Sequence, residues 1–209
     1  MRRHFVSLSA AACAIALALP AAAQPAAPTG PPPPPVRGAV QSIDGLKLTV
    51  AQAGAPAVIT LADKWTVTVL KAIDVSAIQP GSFIGTTNVD KPDGSGQSTE
   101  VHVFPPGQRG GEGHYPMPGQ SAMMTNGDVT MVVTDAKGQE LDIKYNGRGG
   151  SGVRHVVVPP GTPIVTFVPG DQSMIKAGTP VLVFVAKTPD GGLGAGGVLI
   201  GENGKPPPL

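Results

Sequence analysis

From residue 36 onward, hydrophobic and polar residues alternate with a period of two, in short runs broken by Gly, Pro, Asp and Asn. That is the pattern of β-strands with one buried face, separated by tight turns. Leu46-Lys47-Leu48-Thr49-Val50 sets Leu46, Leu48 and Val50 on one face. Asp44-Gly45 ahead of it supplies a hairpin turn, because Gly accepts the positive φ of a two-residue loop. Further strands are predicted at 58–61, 66–70, 83–89 and 99–104, and moved by 97 residues these fall on 155–158, 163–167, 180–186 and 196–201.

The offset comes from the most telling stretch of the chain. DVSAIQPGSFIGTTNVDKPDG (74–94) aligns without a gap to DQSMIKAGTPVLVFVAKTPDG (171–191), with seven of 21 positions identical. This is an internal repeat. In each copy the Asp and Ser (Asp74 and Ser76, Asp171 and Ser173) are predicted to cap a single helical turn. Ile78 or Ile175 then points back into the core, and Gly81 or Gly178 ends the turn in the left-handed conformation. Pro-Asp-Gly at 92–94 and 189–191 closes a hairpin. The expected fold is therefore all-β: two tandem small OB-like, Greek-key β-barrels, residues 36–104 and 121–203, joined by a Gly/Pro-rich connector, 105–120, and followed by a flexible tail, 204–209.

The Gly-x-Val opening at Gly38-Ala39-Val40, the Asp-Gly hairpin, the Ser-x-Ile-x-x-Gly turn and the Pro-Asp-Gly hairpin occur in this order in the chain. In this it resembles a family of small exported bacterial β-barrel domains of unknown function. The connector segments EVHVFPP, GEGHYP and MMTNG are similar to those of a group of uncharacterised exported proteins, some of which carry metal-transport descriptions. The chain departs from that group's pattern at Met117, where the group has Trp. The resemblance implies a fold and export, and no activity.

The amino terminus predicts export independently. Arg2 and Arg3 precede an uncharged run from Phe5 to Leu19, and Ala21 and Ala23 satisfy the small-residue rule, so residues 1–23 read as a signal peptide cut after Ala23. Pro20 and the Ala-x-Ala ending favour cleavage over an uncleaved anchor, and Cys13 lies inside the apolar run, where a lipidated cysteine does not belong. The expected location is the periplasm or the exterior. Residues 24–35, QPAAPTGPPPPP, form a proline-rich linker expected to extend as a polyproline II spacer.

Losing the leader changes the chemistry available. Cys13 is the one cysteine, so the mature chain has no disulfide and no thiolate. Without Arg2 and Arg3 it has 13 basic against 14 acidic residues, a net charge of −1, and few aromatics, a composition that argues against a nucleic-acid surface. No later segment reads as a transmembrane span. The mature chain keeps His102, His114 and His155, with no Gly-x-Ser-x-Gly elbow and no Walker sequence. Glu100 with Glu112 is the one carboxylate pair a glycosidase reading has to nominate, and no catalysis is expected.

Reading one copy against the other separates scaffold from candidate function. Val181-Leu182-Val183-Phe184-Val185 is apolar on both faces, which predicts a strand covered on both sides, most simply by the other barrel or by another copy of the chain, with the other barrel favoured. The unmatched residues concentrate at 100–128, where Glu100 and His102 replace Gly197 and Leu199. Residues two apart share one face of a strand, so Glu100 and His102 are expected side by side, and Glu112 and His114 repeat the spacing. Folded together, Glu100, His102, Glu112 and His114 make a ligand set for zinc, manganese or iron. Met117, Met123, Met124 and Met131 beside His114 suit cuprous copper instead, although such Met residues also serve as core filling. Two readings follow: a non-enzymatic binding or structural module of the cell envelope, with an envelope protein or a glycan as partner and no cofactor, or a periplasmic divalent-metal-binding protein using the Glu-x-His pairs.

Overall fold

The computed structural model describes residues 33–136 and 138–208. The expected signal peptide with its cut after Ala23, Cys13 and linker residues 24–32 lie outside the described residues. Within them the chain is all-β, and no helix is long and apolar enough to cross a membrane.

In chain order the strands are β1 (Val36–Asp44), β2 (Lys47–Ala51), β3 (Ala57–Ala72), β4 (Phe83–Asp90), β5 (Gly96–Val103), β6 (Gly113–Pro116) and β7 (Met123–Asp135). They continue as β8 (Gly138–Gly147), β9 (Gly150–Val158), β10 (Ile164–Gly170), β11 (Pro180–Val183), β12 (Ala186–Lys187) and β13 (Leu193–Gly201). The two stretches expected at 58–61 and 66–70 are one strand, β3, because exposed Ala62, Asp63 and Lys64 continue the extended backbone between them. Leu46 belongs to the turn before β2 and is more than a third exposed, whereas Leu48 and Val50 are fully buried.

All thirteen strands belong to one hydrogen-bonded sheet, and within it the pairings close two rings. In the first, β1 pairs β2, β2 pairs β3, β3 runs parallel to β13, β13 pairs β11, and β11 returns to β1. In the second, β7 pairs β8, β8 pairs β9, β9 runs parallel to β5, β5 pairs β4, and β4 returns to β7. Each ring thus takes three strands from one sequence copy and two from the other. The units expected at 36–104 and 121–203 are not closed rings: β4 and β5 of the first stretch complete the second ring, while β11 and β13 of the second complete the first.

The exchange leaves the local chemistry as expected. Asp74 accepts a hydrogen bond from the Ser76 N–H at 2.8 Å to cap the helical turn Val75–Ala77, and Asp171 does the same with Ser173, also at 2.8 Å, for Gln172–Met174. Ile78 joins the core of the second ring with Ile84, Val101, Leu141 and Ile143; Ile175 joins that of the first with Leu48, Ile59, Trp65 and Val198. Gly81 and Gly178 end the turns at φ +88° and +87°, a conformation that a Cβ disfavours. Their N–H groups donate to Val129 and Val40 carbonyls, tying each turn to the strand that opens the ring it plugs.

The crossing points are β3 and β10. The second half of β3 pairs with β13 of the first ring on one edge and, from Val67 to Ala72, antiparallel with β10 on the other, and β10 also runs parallel to β5. β10 therefore links the rings and brings their outer faces together. Leu182 shows the effect: Val181 and Val183 on either side of it point into the first ring's core, and Leu182, on the opposite face, is still fully buried.

Candidate functional site

Glu100 and His102 lie on β5, whose Val101 and Val103 face the second ring's interior, so both polar side chains point outward, toward the other ring. They are nonetheless only 2% and 5% exposed. Glu100 Oε1 is 3.2 Å from His102 Nε2, with Thr87 Oγ1 at 3.5 Å. The 3.2 Å approach lacks hydrogen-bond geometry, so among the described residues His102 Nε2 has no hydrogen-bond partner, and neither Glu100 Oε2 nor Arg37 Nη2 has one. Each orphaned atom costs about 1–3 kcal/mol of desolvation. Burial pushes the Glu100 carboxyl up to about 8 against the pull of the Arg37 charge, and lowers His102 to about 4. At neutral pH burial thus holds both in their uncharged forms.

In front of His102 a cleft of about 420 Å³ opens between the two rings. Phe104, Met124 and Phe167 form part of its wall, with Phe184, Val185 and Leu199 from the first ring's side. The connector contributes Tyr115 and Met117, and the linker ends on the cleft with Pro33 and Pro35. His102, Phe104 and Phe167 form a chain of ring contacts, with centroids 5.1 Å apart for His102 and Phe167 and 4.8 Å apart for Phe104 and Phe167. Asn126 Nδ2 donates to the Gly111 carbonyl at 2.7 Å and to Tyr115 Oη at 3.1 Å, and the Arg148 guanidinium lies 4.3 Å above the Tyr115 ring. The neighbouring strand carries Gly85, where a Cβ would collide with the Asn126 side chain.

The two copies meet here with different residues. His102 corresponds to Leu199, Phe184 to Thr87 and Phe167 to Leu70 at the 97-residue offset. Equivalent pairings, Arg37 with Leu182 and Asn126 with Gly85, make Arg37 and Asn126 counterparts as well. Phe104, Phe167, Phe184 and Arg148 were not among the candidate site residues; Phe184 was read only as part of the 181–185 strand and Phe104 only within EVHVFPP. Setting copy against copy at Phe184 and Phe167 was the signal available for two of them.

Glu112 and His114 lie elsewhere. Glu112 precedes β6, and its carboxylate accepts from the Asn146 N–H at 3.0 Å and from Arg109 at 3.3 Å. Arg109 in turn makes a bidentate pair with Asp128, at 2.7 and 2.8 Å, and lies over Phe83. His114 sits in β6, with Nδ1 2.9 Å from Thr125 Oγ1. The expected four-residue ligand set is thus split between separate networks, and among the described residues no group of three or more His, Asp or Glu is placed to hold one metal ion. The carboxylates of Glu100 and Glu112 likewise have different partners. Of the Met residues named with His114, Met117 and Met124 are buried on the cleft, while Met123 and Met131 are half-buried.

His114 touches a second polar feature. Thr86 Oγ1 is 2.8 Å from Ser98 Oγ, and Asn88 Nδ2 donates to Thr125 Oγ1 at 3.0 Å; all four residues are buried. Arg154 reaches Asn88, Asp90 and the Gly94 carbonyl. The first ring has Val183, Val185 and Ala195 at the positions of Thr86, Asn88 and Ser98, and Val36 at that of Thr125, paired in the same way with Val183. The polar members satisfy one another, so at these four positions the second ring is hydrogen-bonded where the first is apolar, beside an apolar core in both. His155 pairs with Asp142 at 2.9 Å on a partly exposed strand face. No protein-family model, curated protein or solved structure matches the chain.

Proposed function

We propose that the chain is an exported, non-enzymatic binding module of the cell envelope, made of two OB-like barrels that exchange their last two strands and hold a ligand in the cleft between them. Each ring has the strand order 1-2-3-5-4 with strands three and five parallel, which supports the OB-like reading. The observation that carries the function is that the cleft is walled by residues whose repeat counterparts differ, while the shared Asp, Ser, Ile and Gly residues serve the caps, cores and turns. Aromatic and thioether side chains around a few polar groups are the usual composition of a ligand site. Phe184, half exposed at the cleft, corresponds to an apolar face left for a partner.

The mature chain carries its own reporters. With 13C-labelled methionine methyl groups, an apolar probe such as indole is expected to shift Met117 and Met124 and leave Met131 and Met174 unmoved, and Phe184→Ser is expected to weaken the response. Shifts at Met131 or Met174 alone, or none at any methyl, remove the reading.

A further inference from the structure

We infer that the ligand of this cleft is an extended proline-rich strand of a partner polypeptide. The inference rests on the binding-module reading and narrows it to one ligand class.

Proline already occupies the rim. Pro33 and Pro35 are half-buried on the cleft wall and Pro34 between them is exposed. A polyproline II helix has three residues per turn, so three successive rings point in three directions, and a groove that reads it touches two of them. The linker end meets the protein in that proportion.

The surface beside it is suited to more of the same. Tyr115, Phe104, Phe167 and Phe184 present aromatic faces and edges, with Met117 and Met124 between them. Proline-reading domains use aromatic-lined grooves of this kind, and the preformed polyproline helix loses little conformational freedom on docking.

The hydrogen-bond inventory selects against the other ligand classes. Among the described residues the cleft wall contains no Asp or Glu. The Tyr115 hydroxyl donates to the Gly111 carbonyl, as does the Asn126 amide. Among the described residues the Arg148 guanidinium has only the Tyr115 ring against it, leaving its N–H donors for a ligand. The prolines of such a strand offer carbonyl acceptors and no N–H donors, which matches the Arg148 donors on the wall. A glycan brings many hydroxyl donors and meets no carboxylate to receive them.

The test uses the mature chain with 13C-methyl methionine and acetyl-hexaproline-amide as probe, with a Gly-Ser hexapeptide and indole as parallel arms. Hexaproline is expected to give saturable shifts at Met117 and Met124, absent at Met131 and Met174, with the Gly-Ser peptide silent and Phe184→Ser weakening binding by roughly tenfold. If indole moves Met117 and Met124 but hexaproline does not, the proline inference falls and the cleft reading survives. If neither moves them, both fall. Equal shifts from the Gly-Ser peptide, or hexaproline binding untouched by Phe184→Ser, also overturn the inference.

Discussion

Leu70 and Phe167 stand directly opposite each other where β3 pairs with β10, and they are the same position of the two sequence copies, 97 residues apart. The neighbouring pairs, Thr68 with Pro169 and Ala72 with Val165, exchange into one another under the same offset. The crossing strands therefore pair about a local twofold centred on Leu70 and Phe167, and the symmetric arrangement lets each copy give its last two strands to the other.

Leu70 is buried, 2% exposed, and Phe167 forms part of the cleft wall, so the two positions answer differently to truncation. Leu70→Ala is expected to lower stability by about 2–5 kcal/mol, as for other buried large-to-small changes. Phe167→Ala is expected to combine a loss of stability with a loss of indole binding. Urea melts and the methionine-methyl titration read the two effects separately.

The buried pair gives a defined pH dependence. Between about 4 and 6.5 the folded chain keeps His102 neutral while the unfolded chain protonates it, so this residue makes stability rise with pH. Between 4.5 and about 8 the folded chain keeps Glu100 protonated while the unfolded chain ionises it, so Glu100 makes stability fall with pH. The two slopes oppose each other up to 6.5, and above it Glu100 acts without opposition from His102. Its contribution is a decline from pH 6.5 toward 8, at no more than about 1.4 kcal/mol per unit. Glu100→Gln is expected to abolish that decline, and urea midpoints across this range measure it. An unchanged decline in the variant contradicts the assignment.

Metal addition separates the two Glu-x-His pairs. Glu112 is engaged by Arg109 and Asn146, and His114 by Thr125, so His114→Ala is expected to leave any response to zinc, manganese or cuprous copper unchanged. A metal-induced rise in melting temperature that disappears in His114→Ala would restore the four-residue set. A rise that disappears only in His102→Ala would place the ion at the buried pair.

Much of this fold was legible because its signals are local. The caps at Asp74 and Asp171, the core positions of Ile78 and Ile175 and the turns at Gly81 and Gly178 each depend on residues within one turn of chain, and each forms as the sequence implies. Which strand closes which ring was not legible, for a reason built into the repeat: both copies present the same kinds of strand in the same order, so β4 and β11 compete for the same place beside β1. The site was legible in part. Residues two apart on β5 put Glu100 beside His102, but the same spacing failed at Glu112, because β6 begins only at Gly113. Thr86, which no motif marked, points inward to Ser98, since a hydroxyl network is as admissible inside a ring as an apolar core once its members satisfy one another.

The cleft in its present form depends on the exchange, and interstrand nuclear Overhauser effects test the exchange directly. In uniformly labelled chain beginning at residue 24, backbone contacts are expected between β1 and β11, with Gly38 opposite Val181, and between β4 and β7, with Gly85 opposite Asn126. Contacts from β1 to β4 and from β7 to β11 instead would mean that each copy closes its own ring, and would contradict the account.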